Sequence, residues 1–475
     1  MSSQEVRSKQ VITEKSQSTK AIFYIVLTAS FLDSIDYFIV LVALPSIQAQ
    51  FAASIADVQW VIGAYGITLA GFLLLSGRAG DVYGQKKIFV SGMAVFTISS
   101  LAAGLSPTLP ILVAARLTQG IGAAMTTVTA LATFIGLFRD EHERLKYYGI
   151  FVASFAAGAT VGIIAGGLLT YEFGWRSVLF VNVPIGVVVT LLAQTYLIGG
   201  EPTSRGKRLD LGGAITITAG LMLLVYALTL TANGAFGSML CNFTFTASVV
   251  MLSVFIFIES RSSEPLLPLG FLRQGSTLAV NALCFFVTCT SGIGVLVTYY
   301  FQRVLGWSVF YAGMGTLPLT LCVLLVGGSA AAKIQGKLGL RQTLLASTLF
   351  LTAGAVWLTQ ISDAGNCWTV AMPGLIVFGL GASLAFPAIF AEAGAVAKRG
   401  EEGLASGVVN TSFRIAFPVG LAVVLTAVGL AQNSQLAISS QSLPTGLRFG
   451  FLVVVGFCVL SVLTAIRIRS YAKTP

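Results

Sequence analysis

Beyond a polar stretch over residues 1–20, the chain reads as long apolar runs separated by short polar or charged segments. The first run, Ala21 to Ile47, is broken by only a few polar groups and lacks a small-residue cleavage site, so it reads as a retained helix and not a removed leader. Thirteen further runs cover approximately 56–76, 88–106, 109–136, 145–170, 177–198, 209–231, 241–258, 275–299, 308–332, 342–360, 369–391, 404–430 and 446–466. Each is close to the length of about 20 residues that a helix needs to cross a hydrocarbon layer. A Gly-rich charged turn at 77–87, an acidic-basic loop at 139–146 and a linker at 199–210 separate them. The pattern predicts an all-α membrane protein of fourteen spans.

Composition sharpens this reading. Hydrophobic residues make up 56% of the chain and charged residues 10%, against about 25% charged in ordinary globular domains. That rules out an ordinary soluble enzyme. The net charge of +10 would suggest nucleic acid in a soluble protein, but its distribution is topological. With a cytoplasmic amino terminus, 23 of the 28 Lys and Arg fall in inside segments and three, Arg176, Arg303 and Arg448, fall outside. Such a split supports fourteen spans with both termini cytoplasmic, and anionic lipid headgroups as the partners of the basic residues, with no nucleic acid. One His, His142, and six Cys without metal-ligand spacing give no metal or cofactor site, and no nucleophile–base set suggests an enzyme. No soluble assembly segment is visible, so a monomer in the cell membrane is expected.

A weak repeat relates Gly84-Gln85-Lys86 to Gly339-Leu340-Arg341, an offset of 255 residues. It implies two six-helix bundles, 21–198 and 275–466, with a linker and two extra helices over 199–258, a cytoplasmic loop at 259–274, and cytoplasmic tails at 1–20 and 467–475. Two halves around a central path suit a transporter of alternating access.

The most informative residues are two acids in the first run, Asp33 and Asp36. Three residues apart, they share one helix face, about 4.5 Å apart along the axis. An ionised carboxylate at the bilayer centre costs at least about 2.5–3.5 kcal/mol, so this face must meet protein or water. Repulsion and desolvation favour keeping a proton on one of them, and a cationic ligand opposes that. Protons and a cation can therefore compete for the site as it faces either side. A static ion pair, with Arg116 as partner, is the structural alternative, and Asp33 could serve only to support Asp36. Arg116 keeps its proton and must find carboxylates, carbonyls or water. Arg414 raises the same question in the second half.

Three further features bear on transport. The segment Gly77 to Lys87 reads as a tight cytoplasmic turn in which Asp81 accepts backbone donors at a helix start, with Arg78, Gly84 and Lys86 around it; it serves as a gate or simply as an anchored loop. Gly158, Gly162 and Gly166, with Gly167, draw a smooth stripe that permits close helix contact. Trp60, Tyr65, Phe155, Phe301 and Phe310 are candidates to line a cavity for a bulky organic cation.

These motifs, in order, resemble the fourteen-span drug:proton antiporter family of the major facilitator superfamily. The family's first-span pattern, Leu-Asp-x-Thr-(Ile/Val)-Val-Asn-Val-Ala-Leu-Pro, places its Asp on Asp36 when counted back from Ala43-Leu44-Pro45. Its Thr and Asn positions hold Phe38 and Leu41 here, and Asp33 is an additional acid. Gly77 to Lys87 is similar to the inner-gate motif, and by that resemblance Asp81 helps hold the cytoplasmic side closed. Arg116, Gln119, Gly120 and Gly122 resemble the fourth-span motif, whose Arg is implicated in proton coupling. The span-five motif falls on Gly149, Gly158, Gly162, Gly166 and Gly167, with Ile163 in place of Pro. Trp175-Arg176, Asn182-Val183-Pro184, Arg208-Leu209-Asp210 and Pro265-Leu266-Leu267-Pro268 also match. The resemblance implies a proton-coupled exporter of small hydrophobic, expectedly cationic, compounds, with Asp36 and Arg116 in coupling. Asp33 is expected to join them in coupling, and Asp33, Asp36, Gln119 and Arg414 are further candidates for the cargo site. The alternatives are proton-linked movement of a neutral or anionic metabolite or lipid, and a nontransporting sensor or scaffold.

Overall fold

The computed structural model describes residues 3–137, 141–197, 210–262, 269–272, 276–327, 329–361, 367–396, 402–433 and 442–468. Among them there are helices and no strands, as expected where hydrocarbon leaves each backbone group to find its partner inside the segment. The first half comprises α1 (Ser3–Phe51), α2 (Ile55–Val58), α3 (Trp60–Tyr83), α4 (Gln85–Gly104), α5 (Leu109–Leu137), α6 (Glu141–Phe173), α7 (Ser177–Phe180) and α8 (Asn182–Tyr196). A pair, α9 (Leu211–Ala232) and α10 (Met239–Arg261), and a single turn, α11 (Leu269–Leu272), lead to the second half. That half comprises α12 (Thr277–Cys289), α13 (Ile293–Tyr299), α14 (Val309–Val326), α15 (Ser329–Leu338), α16 (Leu340–Leu358), α17 (Ala371–Val396), α18 (Glu402–Asn433) and α19 (Ser442–Arg467).

Among the described residues, 12 helical stretches are long and apolar enough to cross a membrane, against the fourteen expected. The two that fall short are α6, whose described apolar part is Ala157–Phe173, and α16, which opens on Arg341 and Gln342 and is less apolar for it. Several boundaries also move. The backbone of α1 is helical from Ser3, well before Ala21. The run expected to reach 332 stops at Val326, followed by the separate helix α15 with Lys333 and Lys337. The ninth run continues past 299 through a 3₁₀ turn, Thr290–Gly292, and α13 into a π turn, Tyr300–Val304.

The Gly77–Lys87 turn is much shorter than its sequence suggests. α3 stays helical to Tyr83 and Gly84 alone reverses the chain, at φ 97°. Asp81 therefore lies at a helix end, accepting from Gln85 Nε2 at 3.0 Å across the reversal, and does not cap the next helix. Gly339 turns the chain into α16 at φ 80°, as Gly84 does into α4. Only glycine takes such angles without strain, which is why the repeat survives at these two positions.

The halves meet through α1, α3 and α6 on one side and α13, α14 and α18 on the other. Contacts between the halves run from the middle of α1 to its end remote from Lys20. Gln302 Nε2 donates to the carbonyl of Val42 at 3.3 Å and Arg303 Nη2 to that of Pro45 at 3.1 Å. A Cβ at Gly313 would sit 3.3 Å from the carbonyl of Ile163, and one at Gly167 3.3 Å from Cα of Phe310. Ile39, Leu44 and Ile47, none of them exposed, fill this end together with Leu296 and Phe301 in one core. α9 lies along the seam. Gln59 and Trp60 of the first half donate to Thr229 Oγ1 at 3.0 and 2.9 Å, and Thr426 of the second donates to the carbonyl of Leu228 at 3.0 Å. α10 packs on α9 and turns Phe243, Phe245 and Phe257 outward, a face fit for lipid and not for water.

Candidate functional site

Asp33 and Asp36 project from the middle of α1 toward α3, α5, α8 and α18, and their surroundings differ sharply. Asp36 is fully enclosed. Its Oδ2 accepts from Arg116 Nη1 at 2.7 Å, and its Oδ1 accepts from Gln119 Nε2 at 3.0 Å and Asn182 Nδ2 at 2.6 Å. Arg116, 0% exposed, donates from Nε to the carbonyl of Val61 at 2.9 Å and from Nη1 to Gln119 Oε1 at 2.7 Å, with its guanidinium carbon 4.3 Å from the centre of the Tyr65 ring. Moving each ion of such a pair out of water costs several kcal/mol, which excellent geometry and added hydrogen bonds must offset. Two groups at the centre stay unmatched: Arg116 Nη2 and Asn182 Oδ1 have no hydrogen-bond partner.

Asp33 is held more loosely. Tyr65 donates its hydroxyl to Oδ1, and Thr127 Oγ1 lies 3.4 Å from Oδ2. Arg414 Nη2 approaches the same oxygen at 3.4 Å from the second half, with side-chain exposures of 12% for Arg414 and 9% for Asp33. Arg414 Nε is buried without a partner. Beside this pair the Tyr37 and Phe417 rings meet at 4.8 Å across the halves. The central charges are thus two carboxylates and two guanidinium groups, one pair sealed inside the first half and one bridging to the second.

The sequence-predicted residues divide accordingly. Asp33, Asp36, Tyr65, Arg116, Gln119 and Arg414 converge. Gln119, expected on a cavity wall, is instead wholly buried as a partner of Asp36 and Arg116. Trp60 faces α9, bonded to Thr229 and edge-on to Tyr226. Phe301 is stacked on Trp307 at 4.7 Å in the sealed end, away from the acids, and Phe310 lies against Gly167. The side chain of Phe155 is outside the described residues. Gly158, Gly162 and Gly166 bring α6 onto α1, where an added Cβ would meet Ser34 Cβ at 2.8 Å, the Ile35 carbonyl at 3.0 Å and the Ile39 carbonyl at 2.7 Å. Of the turn residues, Asp81 accepts from Gln85 and Lys86 is half-buried. Asn182, Thr127, Tyr37 and Phe417 were not anticipated. Asn182 alone left a signal, as an amide at the head of an apolar run.

The profile of the Major Facilitator Superfamily matches residues 26–421. The puromycin resistance protein of Streptomyces alboniger is 34% identical over 453 residues, 93% of this chain and 89% of the relative. The cephamycin export protein CmcT of Amycolatopsis lactamdurans is 31% identical over 90% of this chain and 89% of its own. Among solved structures, a partially occluded inward-open xylose transporter XylE from E. coli aligns with TM-score 0.64 at 12% identity, over 97% of this chain and 99% of its own. A peptide transporter in complex with sulfate aligns with TM-score 0.67 at 13% identity, over 96% and 98%. At such identities the structural likeness shows the fold alone, and the sequence likeness shows the family. The chain belongs to the Major Facilitator Superfamily.

Proposed function

We propose that the chain is a proton-coupled antiporter that exports small hydrophobic organic compounds across the cell membrane, with fourteen spans and both termini cytoplasmic. The similar resistance and export proteins support efflux. The charge split supports the orientation, and α6 and α16 supply the fifth and eleventh spans, so that α9 and α10 are the two extra helices between the bundles.

The observation that carries the mechanism is the Asp33–Arg414 contact between halves, 3.4 Å long and incompletely buried. With Lys20 facing the cytoplasm, the packed end of α1 lies outside and the site loads from inside. A cargo cation takes the place of Arg414 at Asp33; the halves then rock, the outer seal parts, and a proton from outside neutralises Asp33 and releases the cargo. Return and proton loss inside restore the ion pair. Asp36, closed in by Arg116, Gln119 and Asn182, ties α1 to α5 and α8 so that the first half moves as one body, and reaches water only when that set opens. Arg414 and Tyr65 are the cargo-site residues, while Asp81 and its turn act at the cytoplasmic gate. The balance of two acids against two arginines favours a second reading, a neutral cargo with indirect coupling.

The test is transport in inverted sealed vesicles with simultaneous recording of internal pH. An imposed proton gradient, acid inside, drives uptake of a permanent organic cation such as tetraphenylphosphonium, and each transport event carries protons out and alkalinises the lumen. Uptake of an uncharged probe in place of the cation would favour the second reading, and no gradient-driven flux of either kind would exclude proton antiport.

A further inference from the structure

At the packed end of the molecule, a cleft of about 550 Å³ opens between the halves. Gln48 and Ser54 line it from the first half, and Tyr299, Arg303 and Gln432 from the second. It is remote from the acids, since Gln48 lies twelve residues beyond Asp36 on α1, about 18 Å along the axis. Nothing in the transport mechanism uses it.

Its polar groups are unmatched in one sense. Tyr299 is 1% exposed, yet its hydroxyl is buried with no hydrogen-bond partner, a condition that costs a folded protein about 1–3 kcal/mol. Arg303 stands on the π turn, an irregularity that recurs at functional sites. Its Nη2 is bonded to the Pro45 carbonyl, which fixes the guanidinium at the cleft while its other N–H groups bond to nothing among the described residues. The nearby acid, Asp57, is already engaged by Ser54 Oγ at 2.7 Å and Asn233 Nδ2 at 2.9 Å. The groups left to meet an occupant are a guanidinium, a phenol and the amides of Gln48 and Gln432, all able to donate, and of these Arg303 carries the charge. A cation would be repelled by Arg303, and an apolar occupant would leave the Tyr299 hydroxyl unsatisfied.

We propose that this cleft binds a small oxyanion, a carboxylate or a phosphate, with Arg303 as the charge partner and the Tyr299 hydroxyl and Gln48 amide as additional donors. Because the lining comes from both halves, the bound anion ties them together at this end. It stabilises the closed face and slows opening toward that side without competing with cargo at Asp33. The inference goes beyond the transport reading and does not depend on it.

The test uses the full-length protein in nanodiscs of zwitterionic lipid, titrated separately with citrate and with inorganic phosphate, with choline chloride as the ionic-strength control. Thermal unfolding midpoint and tryptophan fluorescence are read. The expected result is a saturable rise in midpoint with one of the two anions and not with choline chloride. Binding weakens about tenfold or more in Arg303→Gln and measurably in Tyr299→Phe. Equal effects of choline chloride, or titrations of Arg303→Gln and Tyr299→Phe that match the unsubstituted protein, overturn the proposal. Should Arg303→Gln not fold, Tyr299→Phe, which removes one oxygen, and Gln48→Leu on the opposite half decide the outcome alone. Citrate without phosphate identifies an organic carboxylate, and the reverse identifies a phosphate.

Discussion

Asp33 and Arg414 belong to opposite halves of the molecule and place Oδ2 and Nη2 3.4 Å apart, so that one partly solvated ion pair spans the seam. Asp33 holds this arginine by a single long contact and Arg414 Nε is unmatched, so another cation can take the place of Arg414 with few hydrogen bonds lost, and the pair can be exchanged. The fully buried Asp36–Arg116 pair cannot. Asp33→Asn should therefore lower both gradient-driven uptake in inverted vesicles and gradient-free exchange of a cationic cargo at least about tenfold. Full proton-driven accumulation by this variant would assign the exchange to another group.

The same pair ties cargo binding to the Asp33 carboxylate. Asparagine carries no charge to hold a cation, so equilibrium binding of tetraphenylphosphonium should weaken about tenfold or more in Asp33→Asn. Binding kept in Asp33→Asn and lost in Asp36→Asn would move the role to Asp36.

Removing one member of the enclosed pair should be costly to stability. Arg116→Met leaves Asp36 buried with only two amide donors, and removing one member of a buried pair costs about 3–5 kcal/mol. Adding Asp36→Leu removes the acid left without its partner and should recover a substantial part of the loss, which a coupling energy from thermal melts of the two single variants and the double variant would reveal. Additive losses would mean the pair contributes nothing as a pair.

Glycines on α6 permit a separate check of how closely α1 is approached. A Cβ at Gly166 would lie 2.7 Å from the Ile39 carbonyl oxygen, a backbone atom that cannot turn away, whereas one at Gly63 meets nothing within 4 Å. Gly166→Ala should therefore destabilise by about 1–3 kcal/mol and Gly63→Ala by far less. Comparable melting of the two variants would show that α6 stands off from α1.

Much of this was legible in the sequence because hydrocarbon simplifies the problem. Apolar runs of the right length can only be helices, and a charge within one must be accounted for, so Asp33, Asp36, Arg116 and Arg414 announce themselves. Which acid meets which arginine could not be read, since that depends on helix rotation and on residues 80 and 381 positions away in the chain. Gln119 and Asn182 were hidden for the same reason: an amide in a membrane run looks identical whether it faces cargo or a carboxylate. The aromatics misled most. Phe301 and Trp60 have the composition of a cargo wall, but their positions near helix ends put them in the seal and against α9. The Gly77–Lys87 segment overstated its turn because polar residues at a helix end in cytoplasmic water resemble a loop by composition.

The packed end of α1 must part if cargo is to leave on that side, and Gly167 offers a way to prevent it. A Cβ built there lies 3.3 Å from Cα of Phe310 in the other half, within range of a disulfide, whose Cβ atoms are about 3.5–4.5 Å apart. The six native cysteines are all free, five of them buried and Cys322 partly so, and can be replaced to give a background without thiols. In that background, Gly167→Cys with Phe310→Cys should cross-link on mild oxidation, block vesicle transport while leaving binding of cargo at the Asp33 side, and recover on reduction. Each half is internally packed, so the bond should lock their relative position without unfolding either. Transport that continues at full rate with the cross-link complete would show that this contact is not broken in the cycle, and the path of the cargo would have to be sought elsewhere than between α6 and α14.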